Sequence, residues 1–242
     1  AGLGLRRPLF AMMLVLPGAA LAIAALRRLL PPGTLTARAG LPAAIAMLGL
    51  LNLAFFGVDA FVPLTLIKLR GQTATAAGLA LTAATLTWTT GAWLQAHLTA
   101  TRSRRALVVL GWLLIGASIG GMVCILHPSV PRVLALPIWG LGGLGMGLAY
   151  STSKLVILEN MPPGQEGAVS ASMQLTDALG SALGTGIGGA ILAALAAGSG
   201  SPRAGIFTND LLMLAVTGVG MIAALRLPHG VKSPSHGVST LC

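Results

Sequence analysis

Charge is scarce in this 242-residue chain: Asp, Glu, Lys and Arg make up 8% of it, against about 25% in an ordinary soluble domain. Only five residues are acidic, aromatic residues reach 4%, and there is a single tyrosine. So little charge cannot solvate the surface of a water-soluble fold, which excludes an ordinary cytosolic domain. Cysteine is almost absent. Cys124 lies inside an apolar run and Cys242 ends the chain, a spacing that fits neither a disulfide framework nor a cysteine-based metal centre, and both read as free thiols. The histidines, His97, His127, His229 and His236, are scattered near run ends and in the tail without metal-ligand spacing. No metal, no cofactor and no enzymatic activity are therefore expected. The net charge of +10 comes from short basic clusters between apolar runs. These clusters have no interleaved aromatic residues, so nucleic acid is not expected as a partner.

Apolar residues are plentiful, at 55% of the chain with a mean hydropathy of +0.87. Seven runs of bilayer-spanning length can be drawn, Leu9 to Leu26, Leu41 to Leu66, Ala76 to Leu98, Leu107 to Leu126, Val133 to Leu158, Val169 to Ala197 and Leu211 to Leu227. The breaks between them, such as KLRGQTAT, TATRSRR, HPSVPR and ENMPPGQEG, are too short to house a soluble domain. Arg6, Arg7 and the first run imitate a secretion signal, but Arg27 and Arg28 follow where a small-residue cleavage site is required, so a transmembrane helix near a cut end is expected. Basic residues on alternate sides number eight (Arg27, Arg28, Arg38, Arg102, Arg104, Arg105, Arg226, Lys232) against six (Arg6, Arg7, Lys68, Arg70, Arg132, Arg203). That bias places the C-terminus in the cytoplasm. Trp93 and Trp112 flank TATRSRR as interfacial anchors would.

The runs differ in polarity. Runs one, four and seven are nearly free of polar side chains, whereas run two carries Asn52 and Asp59, run three a Thr-rich stretch with Gln95 and His97, run five Tyr150 to Lys154, and run six Gln174, Thr176 and Asp177. The order is apolar, polar, polar, apolar, polar, polar, apolar. A repeat of three helices, one facing lipid and two facing a bundle interior, gives this order naturally.

An ionisable residue inside a spanning helix is a functional hypothesis by default. Asn52 and Asp59, seven residues apart, project from one face of run two, and Pro63 frees a backbone carbonyl close by. Low-dielectric surroundings favour the neutral form of a carboxyl group, the property a proton carrier needs. The alternative for Asp59 is contact with headgroup water or a pair with Lys68. Asp177 lies nearer mid-membrane, either facing a water-filled cavity or paired with Lys154 of run five. Gly180, Gly184, Gly188 and Gly189 strip one stripe of run six of side chains, which suits close helix packing. Gly140, Gly142 and Gly145 spell a dinucleotide fingerprint, but the strand and the soluble βαβ unit it requires are missing. Gly116, Ser118 and Gly120 spell a nucleophile elbow inside an apolar helix, where the Ser118 hydroxyl is expected to bond to its own backbone. Asp210 and Glu166 read as helix-start residues, and Glu159 as the solvated end of run five.

The stretches GLPAAIAMLGLLNLAFFGVDAFVPLTLIKLRGQTATAAGLALTAATLTW, GLGGLGMGLAYSTSK and SASMQLTDALGSALGTGIGGAI resemble the C-terminal half of a major facilitator superfamily transporter of the drug:proton antiporter type. TATRSRR falls where that family has a degenerate copy of its basic loop motif, here without the motif's Asp and Gly. The run-six glycines resemble the family's glycine-rich antiporter motif, with Thr185 where that motif has proline. The resemblance implies an all-α polytopic membrane bundle of about seven transmembrane helices. Residues 1–40 would hold the last helix of the N-terminal half and a linker, 41–227 the C-terminal six-helix half, and 228–242 a disordered cytoplasmic tail. It further implies a proton-coupled transporter of the plasma (inner) membrane that exports small, amphipathic molecules by alternating access. Its partners would be the lipid bilayer and the missing N-terminal half, and its energy source a proton gradient. Asp59, Asp177 and Lys154 would carry charge, with Asn52, Thr85, Thr89, Tyr150 and Gln174 lining the pathway. A seven-helix receptor or sensor is the main rival, and a membrane-embedded hydrolase using Ser118 a third possibility.

Overall fold

A computed structural model describes Thr34 and residues 40–198 and 200–225. Run one, the linker, the tail beyond residue 225 and their basic residues, together with His229, His236 and Cys242, lie outside the described residues. Within them the chain forms six long helices and no strand: α1 (Leu41–Asp59), α2 (Ala74–Leu98), α3 (Arg104–Ile125), α4 (Ala135–Glu159), α5 (Glu166–Ala197) and α6 (Pro202–Ala224). Five helical segments are long and apolar enough to cross a membrane. The expectation of seven spans is thus reduced to five among the described residues: run one is not described, and α2, at 25 residues, is long enough but diluted by threonine.

Hydroxyl caps set three of the starts. Thr73, Ser103 and Ser201 accept the N–H of Ala76, Ala106 and Ala204, each at 3.2 Å, and Pro202 follows its cap where a missing N–H costs nothing. Gly71 (φ 62°) and Gly164 (φ 81°) turn the chain in left-handed conformations that a side chain would strain. α1 ends at Asp59, and after a turn the chain resumes as one helical turn (Val62–Leu64) and a π-helical turn (Thr65–Leu69). Pro63 explains the break, because it has no N–H to continue the α1 ladder.

The contacts fix the relative directions of the helices. On α5, Gly180 meets Gly49 and Asn52, Gly184 meets Leu53 and Gly57, and Gly188 meets Phe61, so α1 and α5 run parallel. On α4, Gly143 meets Ala84 and Thr87 while Gly147 meets Trp88 and Gly91, so α2 and α4 also run parallel. Against α3 the register reverses: Gly111 meets Gly145 and Ala149, and Gly121 meets Ile138 of α4, while Trp112 meets Gly220 and Gly116 meets Thr217 of α6. α5 and α6 are antiparallel too, with Gly188 on Asn209 and Leu192 on Gly205. By these relations α1 is antiparallel to α4. Exchanging α1, α2, α3 with α4, α5, α6 carries α1·α5 onto α2·α4 and α1·α6 onto α3·α4, and maps α1·α4 and α3·α6 onto themselves. The bundle is therefore two three-helix units of opposite orientation, departing from symmetry where α5·α6 packs without an equally extensive α2·α3 contact.

The two ends of the bundle differ in chemistry. At one, the Arg70 guanidinium donates to the carbonyls of His127 (3.0 Å) and Val130, joining the loops after α1 and α3. At the other, Arg104 pairs with Glu159, so Glu159 does not simply end in water. Trp112 is corrected from interfacial anchor to core. It is fully buried against Gly220, where absence of a Cβ admits the indole, while Trp93 is exposed.

Candidate functional site

α5 presents an i, i+4 stripe of small residues, Ser172, Thr176, Gly180, Gly184 and Gly188, all buried. The Thr176 and Ser181 hydroxyls bond carbonyls of their own helix, those of Ser172 (2.7 Å) and Asp177 (2.9 Å). At Gly180 a Cβ would strike the Gly49 carbonyl and come within 2.9 Å of the Asn52 Cβ. The bare backbone is what lets Asn52 reach α5. Gly189 is the exception among the four glycines, with no atom near its missing Cβ, and it takes no part in the crossing because it lies one position off the stripe.

Asp177, at the margin of that stripe, gathers donors from two other helices. Asn52 Nδ2 donates to Oδ1 at 2.8 Å and to the Leu48 carbonyl at 2.9 Å, and the Tyr150 hydroxyl donates to Oδ2 at 2.7 Å. Lys154 Nζ lies 3.3 Å from Oδ2 and 4.4 Å from the centre of the Tyr150 ring. The lysine and aspartate side chains are 38% and 22% exposed, so the pair borders open space. Asn52 is 3% exposed. Four of the sequence-derived site residues, Asn52, Tyr150, Lys154 and Asp177, thus converge. Asp177 is thus the shared acceptor through which an amide of α1 and a phenol and an ammonium of α4 are tied to α5.

The cluster also spans a gap. α4 and α5 do not pack backbone to backbone, and they meet through these side chains and an apolar layer in which Val156, Ile157 and Val169 pack with Ala44, Ile45 and Leu48 of α1. By residue order this layer lies between the cluster and the end where Arg104 pairs with Glu159.

The remaining sequence-derived residues stand elsewhere. Asp59 lies seven residues beyond Asn52, about 10 Å along the helix axis. It accepts the Trp139 indole N–H at 2.9 Å and makes no ion pair with Lys68, which corrects that alternative: a buried indole on α4 reaches it and the exposed lysine does not. Gln174 is exposed on α5. Thr85 and Thr89 are exposed on α2 and donate to their own helix, to Leu81 and Thr85 carbonyls at 3.0 and 3.2 Å. The Ser118 hydroxyl does not bond its own helix. It donates to the Ile138 carbonyl on α4 at 2.7 Å, because Gly142 lets α3 approach.

Sequence reasoning passes over two features. One is an aromatic column from Asp59 to the cluster: Trp139 stacks on Phe55 (5.0 Å), Phe55 meets Trp88 edge-on (5.6 Å), and Trp88 meets Tyr150 (5.6 Å). Phe55, between Asn52 and Asp59 in the sequence, is the available signal. The other is Asp210, which is not a helix-start residue. α6 begins at Pro202, so Asp210 lies in its third turn and is 2% exposed. The Ser201-Pro202 cap is the signal for the true start.

No protein-family model matches the chain, and no curated protein matches it either.

Proposed function

We propose that this chain is part of a proton-coupled secondary transporter that exports small, amphipathic molecules by alternating access. The carrying observation is the Asn52–Tyr150–Lys154–Asp177 cluster at the junction of two oppositely oriented three-helix units. In this reading a proton on Asp177 removes its charge, frees Lys154, and weakens the bridge between α4 and α5. The apolar layer below the cluster, held by side chains alone, then opens or closes the path toward the Arg104–Glu159 end. The interrupted α1 supports the same reading, since broken helices accompany transport sites. Localisation in the plasma (inner) membrane with a cytoplasmic C-terminus, and assembly with an N-terminal half, belong to the proposal.

The test is uptake by the complete protein in liposomes under an imposed pH gradient. Asp177→Asn is expected to abolish gradient-driven uptake while leaving expression intact. Uptake with unchanged pH dependence in that variant would refute the proton role.

A further inference from the structure

A second polar cluster lies at the other end of the α1·α5 crossing, away from Asp177. α1 stops at Asp59, which leaves its last carbonyls without partners in the helix ladder. Ala60 N–H takes the Phe56 carbonyl at 3.3 Å and Phe61 N–H takes that of Val58 at 2.8 Å. The Gly57 carbonyl is taken from outside, by Asn209 Nδ2 of α6 at 2.8 Å. This fixes the amide: turning it over would set its oxygen against the Gly57 oxygen. Asn209 Oδ1 then points to the bare backbone of Gly188, where a Cβ would sit 2.7 Å from it, and it receives no hydrogen bond although Asn209 is fully buried. Beside it Asp210, 2% exposed, has as its one hydrogen bond a long contact of 3.3 Å from the same Nδ2.

Everything that converges here is an acceptor except that one Nδ2. A carboxylate, an orphaned amide oxygen and the C-terminal end of α1, which carries partial negative charge, converge around that one Nδ2 among buried residues. No cation of the described residues answers them. α1 contributes Asp59, engaged by Trp139 of α4. The π turn contributes Lys68, which is exposed and makes no ion pair, and Arg70 directly after it gives its guanidinium to the carbonyls of His127 and Val130. α3 carries Arg104 and Arg105 at its opposite end and Cys124, which is exposed. α5 carries Glu166 and Asp177, the nearer of them eleven residues before Gly188 and so about 16 Å away along the axis. On α6 itself Arg203 is two turns away and exposed. Leaving such a carboxylate charged and unpaired is strongly unfavourable.

We infer that Asp210 and Asn209 form a binding site for a small monovalent cation, Na⁺ or H⁺, at the C-terminal end of α1. The all-oxygen donor set suits a hard ion and gives no ligand to a soft one. Occupancy ties α6 to the α1 break and to the glycine stripe of α5, so the site couples a cation to the packing of three helices. It is independent of Asp177 and does not rest on the transport reading.

The experiment uses the purified chain in detergent, with thermal denaturation followed in NaCl, KCl and choline chloride at equal ionic strength, and infrared spectra recorded for the carbonyl band of a protonated carboxyl group. A sodium site gives a rise in denaturation midpoint with NaCl alone, lost in Asp210→Asn. A proton site gives no sodium response but a protonated-carboxyl band at neutral pH that disappears in Asp210→Asn. Asn209→Ser, which removes the amide oxygen, is expected to weaken the sodium response or shift the band, and serves if Asp210→Asn does not fold. Equal stability in the three salts together with no protonated-carboxyl band in the unaltered chain would overturn the inference without recourse to any variant.

Discussion

Asp177 and Asp210 lie at opposite ends of one helix crossing, and the chain treats them in opposite ways. Asp177, beside Gly180, receives an amide, a phenol and a lysine at 2.8, 2.7 and 3.3 Å and borders open space. Asp210, near Gly188, is 2% exposed and receives one hydrogen bond at 3.3 Å. Both aspartates occur in apolar helices, so local sequence does not separate them. Which neighbouring helix arrives, and with which atoms, does. The first charge is answered from within the chain, and the second calls for something from outside.

The largest blow to this comparison is to force the crossing apart. In Gly184→Leu the new Cβ meets the Leu53 carbonyl and the Gly57 nitrogen, backbone atoms that cannot step aside. A loss of about 3 kcal/mol is expected from such overpacking, read as a lowered denaturation midpoint in detergent, with both clusters disturbed at once. If only one end responds, the two carboxylates do not share a crossing.

A smaller effect isolates the Asp177 end. Lys154→Met removes the ammonium and leaves Asp177 with Asn52 and Tyr150, and partial exposure of the pair limits the expected loss to about 1 kcal/mol. Adding Asp177→Asn to Lys154→Met is expected to recover most of it in a double-mutant cycle, while the response of the Asp210 site stays unchanged. Additive losses would show that the pair is not coupled.

The smallest effect concerns α2. Thr89 is exposed and donates to its own helix at 3.2 Å, so Thr89→Ala is expected to change stability by less than about 0.5 kcal/mol. Transport assayed in the same variant decides whether this face of α2 lines a pathway, as the sequence suggests, or is an ordinary helix surface.

Much of the Asp177 site is legible in the amino-acid sequence. A short break joins runs five and six and puts Lys154 within reach of Asp177, and α4 and α5 do bring the two to 3.3 Å. Asn52 stands out as an amide in an apolar run, but nothing local says that it faces Asp177 and not Asp59. That choice depends on Gly180 and Gly49, which set the height at which α1 crosses α5. Asp210 is misplaced by hydropathy because apolar residues become continuous only at Leu211, although the cap at Ser201 starts the helix eight residues before Asn209. Trp112 and Ser118 escape a local reading for a related reason. Each meets a glycine of another helix, and a glycine's partner is not encoded beside it.

The sequence by itself determined the all-helical, membrane-compatible character of this chain, because long apolar runs, terminal hydroxyl caps and scarce charge act locally, within one helix and its solvent. The alternation of polar and apolar runs does not carry over whole to the helices, because α6 starts at Pro202 and adds buried Asn209 and Asp210 to a run read as apolar. Only the tertiary structure decided that the helices form two inverted units, that Asn52 and Tyr150 hold Asp177 beside Lys154, and that Asp210 has no cation among the described residues. Those outcomes depend on the register of helices far apart in the chain. Register is set by glycine-to-backbone contacts a few ångströms wide, which no local pattern specifies.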